Sequence, residues 1–152
     1  MYTIYTDGSY QSSIGAGGYG AIIVHEGNII TKLYQGFKNT TNNRMELKGV
    51  IESLKWLEAQ GESEASIYSD SQYVINNIDN ARRWFSEDDL SKKNLDLWHE
   101  LIDLLEGKNI VFYWVKGHNN NYYNEVVDKL CVHAAQCLNI PTDLPNDTKN
   151  NI

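Results

Sequence analysis

The nine residues YTIYTDGSY, Tyr2 to Tyr10, contain the strand around which the fold of this chain can be built. Residues 2–6 alternate in the manner of a β-strand, and this strand runs directly into Asp7, Gly8 and Ser9. An aspartate followed by a glycine is typical of an Asx turn. The alternative is that Asp7 stands at the end of the strand to hold a ligand, and the rest of the sequence bears on that choice.

The pattern of apolar residues predicts four further strands and four helices. Two strands flank Gly27-Asn28 as a hairpin, after a glycine-rich loop. The predicted strands are residues 2–6, 19–26, 28–37, 65–69 and 109–115, and the predicted helices are residues 44–60, 71–78, 94–105 and 124–138. Three strands, a helix, a strand, helices, a strand and a helix indicate an α/β fold with a five-stranded mixed sheet.

The order of these elements predicts where the acidic residues meet. If the first three strands form an antiparallel meander, a right-handed crossover places the fourth strand beside the free edge of the first, and the fifth strand follows in parallel. Asp7, Glu46, Asp70 and Asp128 then all lie at one end of the sheet. Neighbouring strands are about 4.8 Å apart, so Asp7 and Asp70 should nearly touch. That end of an α/β sheet is where ligands usually bind.

Each of these carboxylates also has a structural interpretation when it is taken alone. Glu46 fits a capping box with Asn43, Asp70 fits the N-cap of the following helix, and Asp128 fits a solvated helix position. These interpretations do not explain why all four converge. Acidic groups gathered out of water repel one another unless they take up protons or bind a cation. Oxygen ligands of this kind suit magnesium or manganese.

Length and composition limit the remaining choices. The chain has 152 residues, of which 41% are hydrophobic and 22% charged, as expected for one globular domain. No apolar run approaches the roughly 18 residues that span a bilayer, so no membrane partner is expected. Cys131 and Cys137 form no disulfide or zinc pattern, which favours a reducing, cytoplasmic compartment. Residues 1–140 are expected to form the domain, and residues 141–152 a polar, flexible tail.

Six motifs carry a resemblance to a known family. YTDGS, GGYGA, TNNRMEL, SDSQYV, NLDLW and WVKGHNNNYYNEVVD resemble type 1 ribonuclease H, the bacterial ribonuclease HI class, between Tyr2 and Ala135. The resemblance implies a ribonuclease H-like fold and a monomer that hydrolyses the RNA strand of an RNA–DNA hybrid to 5′-phosphate and 3′-hydroxyl ends. It implies two magnesium ions, with manganese as a possible substitute, on the four carboxylates Asp7, Glu46, Asp70 and Asp128.

The resemblance also implies roles for residues around the carboxylates. His118 would act as a proton shuttle beside Asp128, and Asn124, four residues earlier on the same helix face, would lie near a phosphate or water. Neutral groups suited to the RNA 2′-hydroxyls are Gly8, Ser9, Asn42, Asn43 and Gln72. Thr41 and Asn94 match positions that hold a DNA-strand phosphate, and Ser13 stands where relatives commonly have asparagine.

Two features of the sequence argue against a strong nucleic-acid binder. The net charge is −7, although part of this charge belongs to the metal site and is neutralised when the site is loaded. Residues 80–93, which we call the protrusion segment, interleave Arg82, Arg83, Lys92 and Lys93 with three acids. The alternatives are a DNA-processing nuclease of the same fold and a catalytically silent hybrid-binding module.

Overall fold

The computed structural model describes residues 1–116 and 121–145. Its strands are β1 (Tyr2–Gln11), β2 (Ala16–His25), β3 (Asn28–Lys38), β4 (Glu64–Ser69) and β5 (Asn109–Trp114). Its helices are α1 (Asn42–Ala59), α2 (Gln72–Ser86), α3 (Leu95–Leu105) and α4 (Tyr122–Ala135). None of the helices in these described ranges is long and apolar enough to cross a membrane.

The five strands form one mixed sheet in the order β3-β2-β1-β4-β5. β1 pairs antiparallel with β2 and parallel with β4, so that Ile4 lies opposite Ile23 on one side and Ile67 on the other. β3 continues the antiparallel meander and β5 pairs parallel with β4. The predicted α/β fold and strand topology are confirmed.

Helices cover both faces of the sheet. α1, α2 and α3 pack on one face around a core that includes Ile4, Leu47, Leu54 and Trp98, all fully buried. α4 packs on the other face against β2, where a Cβ atom at Gly18 would collide with the backbone of α4. Because Gly18 has no side chain, α4 can lie directly on the sheet. This close packing sets the distance between α4 and the neighbouring strand β1.

Several predicted elements were shorter than the observed ones. β1 extends to Gln11 and β2 begins at Ala16, so the predicted glycine-rich loop is mostly strand. Gly8 and Gly18 are strand residues at positions where α1 and α4 approach the sheet closely, whereas Gly15 lies in the turn with a positive φ of 62°. α2 continues to Ser86 because Ala81 and Trp84 extend its buried face beyond the apolar residues on which the prediction relied.

Residues 141–145, which we call the C-terminal strap, bond to the end of β3. The backbone N–H of Lys38 donates to Pro141 O at 2.8 Å, and the N–H of Asp143 donates to Lys38 O at 2.9 Å. The N–H of Leu144 then donates to Asn39 O at 3.2 Å. The strap therefore runs beside the loop that leads from β3 into α1.

Candidate active site

The site begins where β1 and α1 touch. A Cβ atom at Gly8 would collide with the backbone of Met45 and Glu46, so only glycine lets the first turns of α1 approach β1 this closely. The approach brings the buried side chain of Glu46 beside Asp7, whose Oδ1 accepts a 2.8 Å hydrogen bond from the N–H of Gly8. Asp7 thus belongs to a continuing strand, and the Asx-turn interpretation is wrong.

Asp7 is common to two groups of metal-ligating atoms. Carboxylate oxygens of Asp7, Glu46 and Asp70 all lie within 4.8 Å of one another. The same limit holds for carboxylate oxygens of Asp7 and Asp128 and the thiol sulfur of Cys131. The structure therefore brings together the four carboxylates that the topology predicted to converge, with Asp7 at their centre.

The capping interpretations of Glu46 and Asp70 are also wrong. The N-cap of α1 is Thr41, whose Oγ1 accepts from the N–H of Arg44 at 3.2 Å. The N-cap of α2 is Ser71, whose Oγ accepts from the N–H of Val74 at 3.2 Å. Other residues therefore satisfy the helix ends, and both carboxylates face the cluster without a capping role.

The cluster is electrostatically unfavourable without a cation. Burial, followed by the charge of Asp70, raises the pKa of Asp7 to about 7. Burial and the charge of Asp7 raise the pKa of Glu46 well above its ordinary value. Both effects penalise the ionised carboxylate, which is the form that binds metal. A bound cation would remove the penalty, because it supplies the positive charge that these groups lack.

Unpaired polar atoms in the site agree with this reading. Glu46 is 5% exposed, yet its Oε1 has no hydrogen-bond partner among residues 1–116 and 121–145. Oγ1 of Thr6 is likewise shielded from solvent and has no partner in the described part of the chain. Buried polar groups are normally satisfied, and oxygens of this kind beside a carboxylate cluster are ligands that a divalent cation can use. The residues present fit a divalent cation.

An open cleft surrounds the carboxylates. Most of the residues that sequence analysis assigned to the substrate line it: Gly8, Ser9, Asn42, Asn43 and Gln72. Ser71 and Tyr73 line it as well, although sequence analysis gave them no role. Tyr73 could have been noticed because it lies three residues after Asp70 in SDSQYV, on the first turn of α2.

The remaining predicted residues lie at different distances from the cleft. Asn124 lines a small pocket together with Asp7, Asp70 and Asp128. Thr41 and Asn94 are joined through Arg44, beside the cleft but not among its lining residues. Ser13 lies in the exposed turn between β1 and β2. His118 lies outside the described residues.

Comparison with known proteins agrees with this geometry. A family model described as RNase H matches residues 1–136. The chain belongs to the ribonuclease H family. It is 43% identical over 149 residues to ribonuclease H of Trichodesmium erythraeum (strain IMS101), which covers 93% of each chain. It is 40% identical to ribonuclease H of Desulforamulus reducens, covering 93% of this chain and 92% of the relative.

Solved structures of ribonuclease H domains share the fold. LC9-RNase H1, described as a type 1 RNase H with the type 2 active-site motif, superposes with a TM-score of 0.76 at 26% identity. The match covers 88% of this chain and 71% of that one. The N-terminal RNase H domain of rv2228c from Mycobacterium tuberculosis superposes with a TM-score of 0.73, covering 88% and 92% of the two chains. The predicted membership of the ribonuclease H family is confirmed.

Proposed function

We propose that this ribonuclease H is an endoribonuclease that hydrolyses the RNA strand of RNA–DNA hybrids and leaves 5′-phosphate and 3′-hydroxyl ends. The observation that carries the proposal is a cluster of four carboxylates in an open cleft, in which Glu46, Asp70 and Asp128 all lie close to Asp7. Relatives named ribonuclease H, about 40% identical over most of the chain, support the substrate class.

The carboxylates would hold two magnesium ions, or manganese in their place. Such ions, when bound, lower the pKa of the attacking water and neutralise charge on the phosphoryl and leaving oxygens. Asp7 would be the shared ligand, because it belongs to both groups of ligating atoms. Asp128 would complete one site, and Glu46 and Asp70 would complete the other.

Neutral groups around the cluster would distinguish RNA from DNA. The side chains of Ser9, Asn42, Asn43 and Gln72, together with the backbone at Gly8, line the cleft. They can donate to and accept from a 2′-hydroxyl, the group that DNA lacks. Ser13, in the exposed turn between β1 and β2, would also contact the hybrid.

Two residues near Asp128 would handle protons and phosphate. Nδ2 of Asn124 has no partner among the residues that the structure describes, and it can donate to a phosphate oxygen in the pocket that Asn124 shares with Asp7 and Asp128. His118 follows β5 and precedes α4, the helix that carries Asp128, and would pass a proton from the attacking water to solvent. Thr41 and Asn94 would hold a phosphate of the DNA strand.

One experiment tests the substrate class. End-labelled RNA–DNA hybrid, RNA duplex and DNA duplex of one sequence are incubated with the protein and magnesium. We expect cleavage of the RNA strand of the hybrid alone. Cleavage of the DNA duplex would instead indicate a DNA-processing nuclease, and tight binding of the hybrid without cleavage would indicate a silent binding module.

The same products test the reaction type. The proposed hydrolysis leaves a 3′-hydroxyl on one product, which a polymerase can extend. It leaves a 5′-phosphate on the other product, which a kinase can label only after phosphatase treatment. Extension without phosphatase is the expected result. Products with 3′-phosphate or cyclic phosphate ends would contradict the proposed attack by water.

We also propose that the enzyme works as a monomer in the cytoplasm. A single chain supplies all four carboxylates, so no second copy is needed to complete the site. Cys131 and Cys137 are both free thiols, as expected in a reducing compartment.

A further inference from the structure

We propose that Asp143 of the C-terminal strap is a positioning residue for the groups that hold the DNA strand. It acts through Arg44, whose guanidinium donates to both Asp143 and Asn94. The inference deepens the proposed function and rests on it, because it takes Thr41 and Asn94 to be ligands of a DNA-strand phosphate. It gives residues far from the carboxylates a role in substrate affinity.

Arg44 is a buried cation with a full set of acceptors. It is 2% exposed, and its guanidinium donates five hydrogen bonds. Two go to the carboxylate of Asp96 at 2.9 and 2.8 Å, two to the carboxylate of Asp143 at 2.8 and 3.3 Å, and one to Oδ1 of Asn94 at 3.4 Å. Because carboxylates bind two edges of the planar guanidinium, the group is held in a single orientation.

This orientation fixes one of the two proposed phosphate ligands, Asn94, whereas the other, Thr41, is held as the N-cap of α1 through the backbone of Arg44. Thr41 Oγ1 accepts from the backbone N–H of Arg44, which leaves the Thr41 hydroxyl hydrogen to donate outward. Asn94 Oδ1 accepts from the guanidinium, while Nδ2 donates to the hydroxyl of Tyr73 at 3.0 Å and keeps its second hydrogen. Asn94 is held in the left-handed region, with φ of 61°. Each residue thus presents a hydrogen-bond donor, as a phosphate requires.

Asp143 is itself rigidly placed. Its side chain is 3% exposed. Besides the bonds from Arg44, its carboxylate accepts a 2.8 Å hydrogen bond from Thr40 Oγ1 and forms an ion pair with Lys48 Nζ at 3.4 Å. The backbone bonds of the strap tie it to Lys38. The other carboxylate on Arg44, Asp96, has a side chain that is 62% exposed. Loss of Asp143 would leave the guanidinium paired with one solvent-exposed carboxylate, and Asn94 would lose its fixed orientation.

The expected consequence is weaker binding of the DNA strand with little effect on the chemical step. Glu46 lies two residues after Arg44, but its position depends on the contact of α1 with Gly8, which the strap does not make. A change at Asp143 should therefore raise KM and leave kcat nearly unchanged. A purely structural role would instead lower the active fraction and leave KM unaltered.

The test measures binding with the DNA strand modified one linkage at a time. A fluorescent hybrid is titrated in EDTA, with a neutral methylphosphonate placed at successive DNA linkages. For the natural protein we expect one or two linkages at which affinity falls about threefold to tenfold, the range for the net loss of one ordinary hydrogen bond. Asp143→Asn should bind the unmodified hybrid weaker by a similar factor and should respond less at those linkages, because Asn94 loses its fixed orientation while Thr41 keeps its place.

Two further variants separate positioning from stability. Glu58→Gln removes the partner of Lys108, whose side chain is 6% exposed, and serves as a matched control because this ion pair joins α1 to the α3–β5 loop. It should retain the linkage response, by which we mean the loss of affinity caused by a methylphosphonate at the sensitive DNA linkages. Thr40→Val removes one hydrogen bond of Asp143 and provides a milder variant if Asp143→Asn does not fold. An unchanged linkage response in whichever Asp143-network variant folds would overturn the inference.

A measurement without substrate keeps this test distinct from the proposed function. Trp98 Nε1 donates to the Tyr73 hydroxyl, at the far end of the same network. Its indole N–H resonance should shift in Asp143→Asn and stay in place in Glu58→Gln. If the natural protein cleaves hybrid but no methylphosphonate in the DNA strand weakens binding, the positioning role is refuted and the proposed function stands. If it neither binds nor cleaves hybrid, the proposed function fails, and an unshifted indole signal would also refute the connection to Asp143.

Discussion

Asp7 is the residue on which both groups of ligating atoms depend. Asp7→Asn keeps the shape of the side chain and removes its charge, so we expect hybrid cleavage to fall by roughly a hundredfold or more, as when one preorganised charge-stabilising group is lost. Folding should persist or improve, since repulsion in the metal-free cluster is relieved. Cleavage is measured at saturating magnesium, with Glu62→Gln as a charge-matched control at an exposed site. Retention of more than about a tenth of the rate would refute the shared-ligand role.

The raised pKa of Asp7 predicts how the metal-free protein responds to pH. Burial and the charge of Asp70 lift this pKa from 3.8 to about 7, so between these values the folded state binds more protons than the unfolded state. Stability from this group is therefore present below pH 4 and is lost as pH rises to 7. In EDTA we expect a higher melting temperature at pH 5 than at pH 8, and a smaller difference in Asp7→Asn. Calorimetry showing the same pH dependence in both proteins would contradict this.

The sequence predicted the carboxylate cluster but could not predict the network around Arg44. Asp7 and Asp70 stand at the ends of predicted strands, and Glu46 and Asp128 stand near the starts of the helices that follow strands. The direction of the strands was therefore enough to bring the four together. Arg44 and Asp143 are 99 residues apart and belong to no periodic pattern that would pair them. Only the path of the chain after α4 makes that contact, and this path follows from tertiary packing.

At the scale of elements, α2 carries the protrusion segment farther than its sequence suggested. The helix ends at Ser86, and the exposed residues after it include Glu87 and Asp88. Asp89 has a local role, because it accepts from the hydroxyl and the N–H of Ser91. The local sequence could not reveal this, since three consecutive acids look alike until one of them forms a turn.

The double variant Glu87→Lys/Asp88→Lys tests whether the protrusion segment faces the substrate. It spares the turn at Asp89 and reverses two charges beside Arg82 and Arg83. Because each phosphate neutralised adds about −0.9 to the salt slope on a B-form duplex, we expect tighter binding at low salt and a steeper slope. Binding is titrated in calcium over a salt series, with Glu62→Lys/Glu64→Lys as the control. An unaltered slope would place the substrate on another surface.

For the molecule as a whole, the cluster links folding to cation binding. The native state gathers four carboxylates that the unfolded chain keeps apart, so magnesium should bind the native state preferentially. At a hundred times the dissociation constant this adds about 2.7 kcal/mol, equivalent to a rise of roughly 5–10 °C in Tm. Calorimetry from EDTA to millimolar magnesium measures the shift. A Tm that stays constant, or that rises equally in Asp7→Asn, would refute a preassembled site.

The outer position of β5 also has a consequence for aggregation. Its six residues, Asn109–Trp114, carry no charge, glycine or proline, and no other strand of the described chain pairs with its outer edge. Such an edge can template pairing with a second chain while molecules are partly folded. Val111 is 42% exposed, so Val111→Lys should place a charge on the strand at little cost to Tm. Light scattering during refolding at high concentration should fall in this variant, and equal scattering in both proteins would show that another segment initiates aggregation.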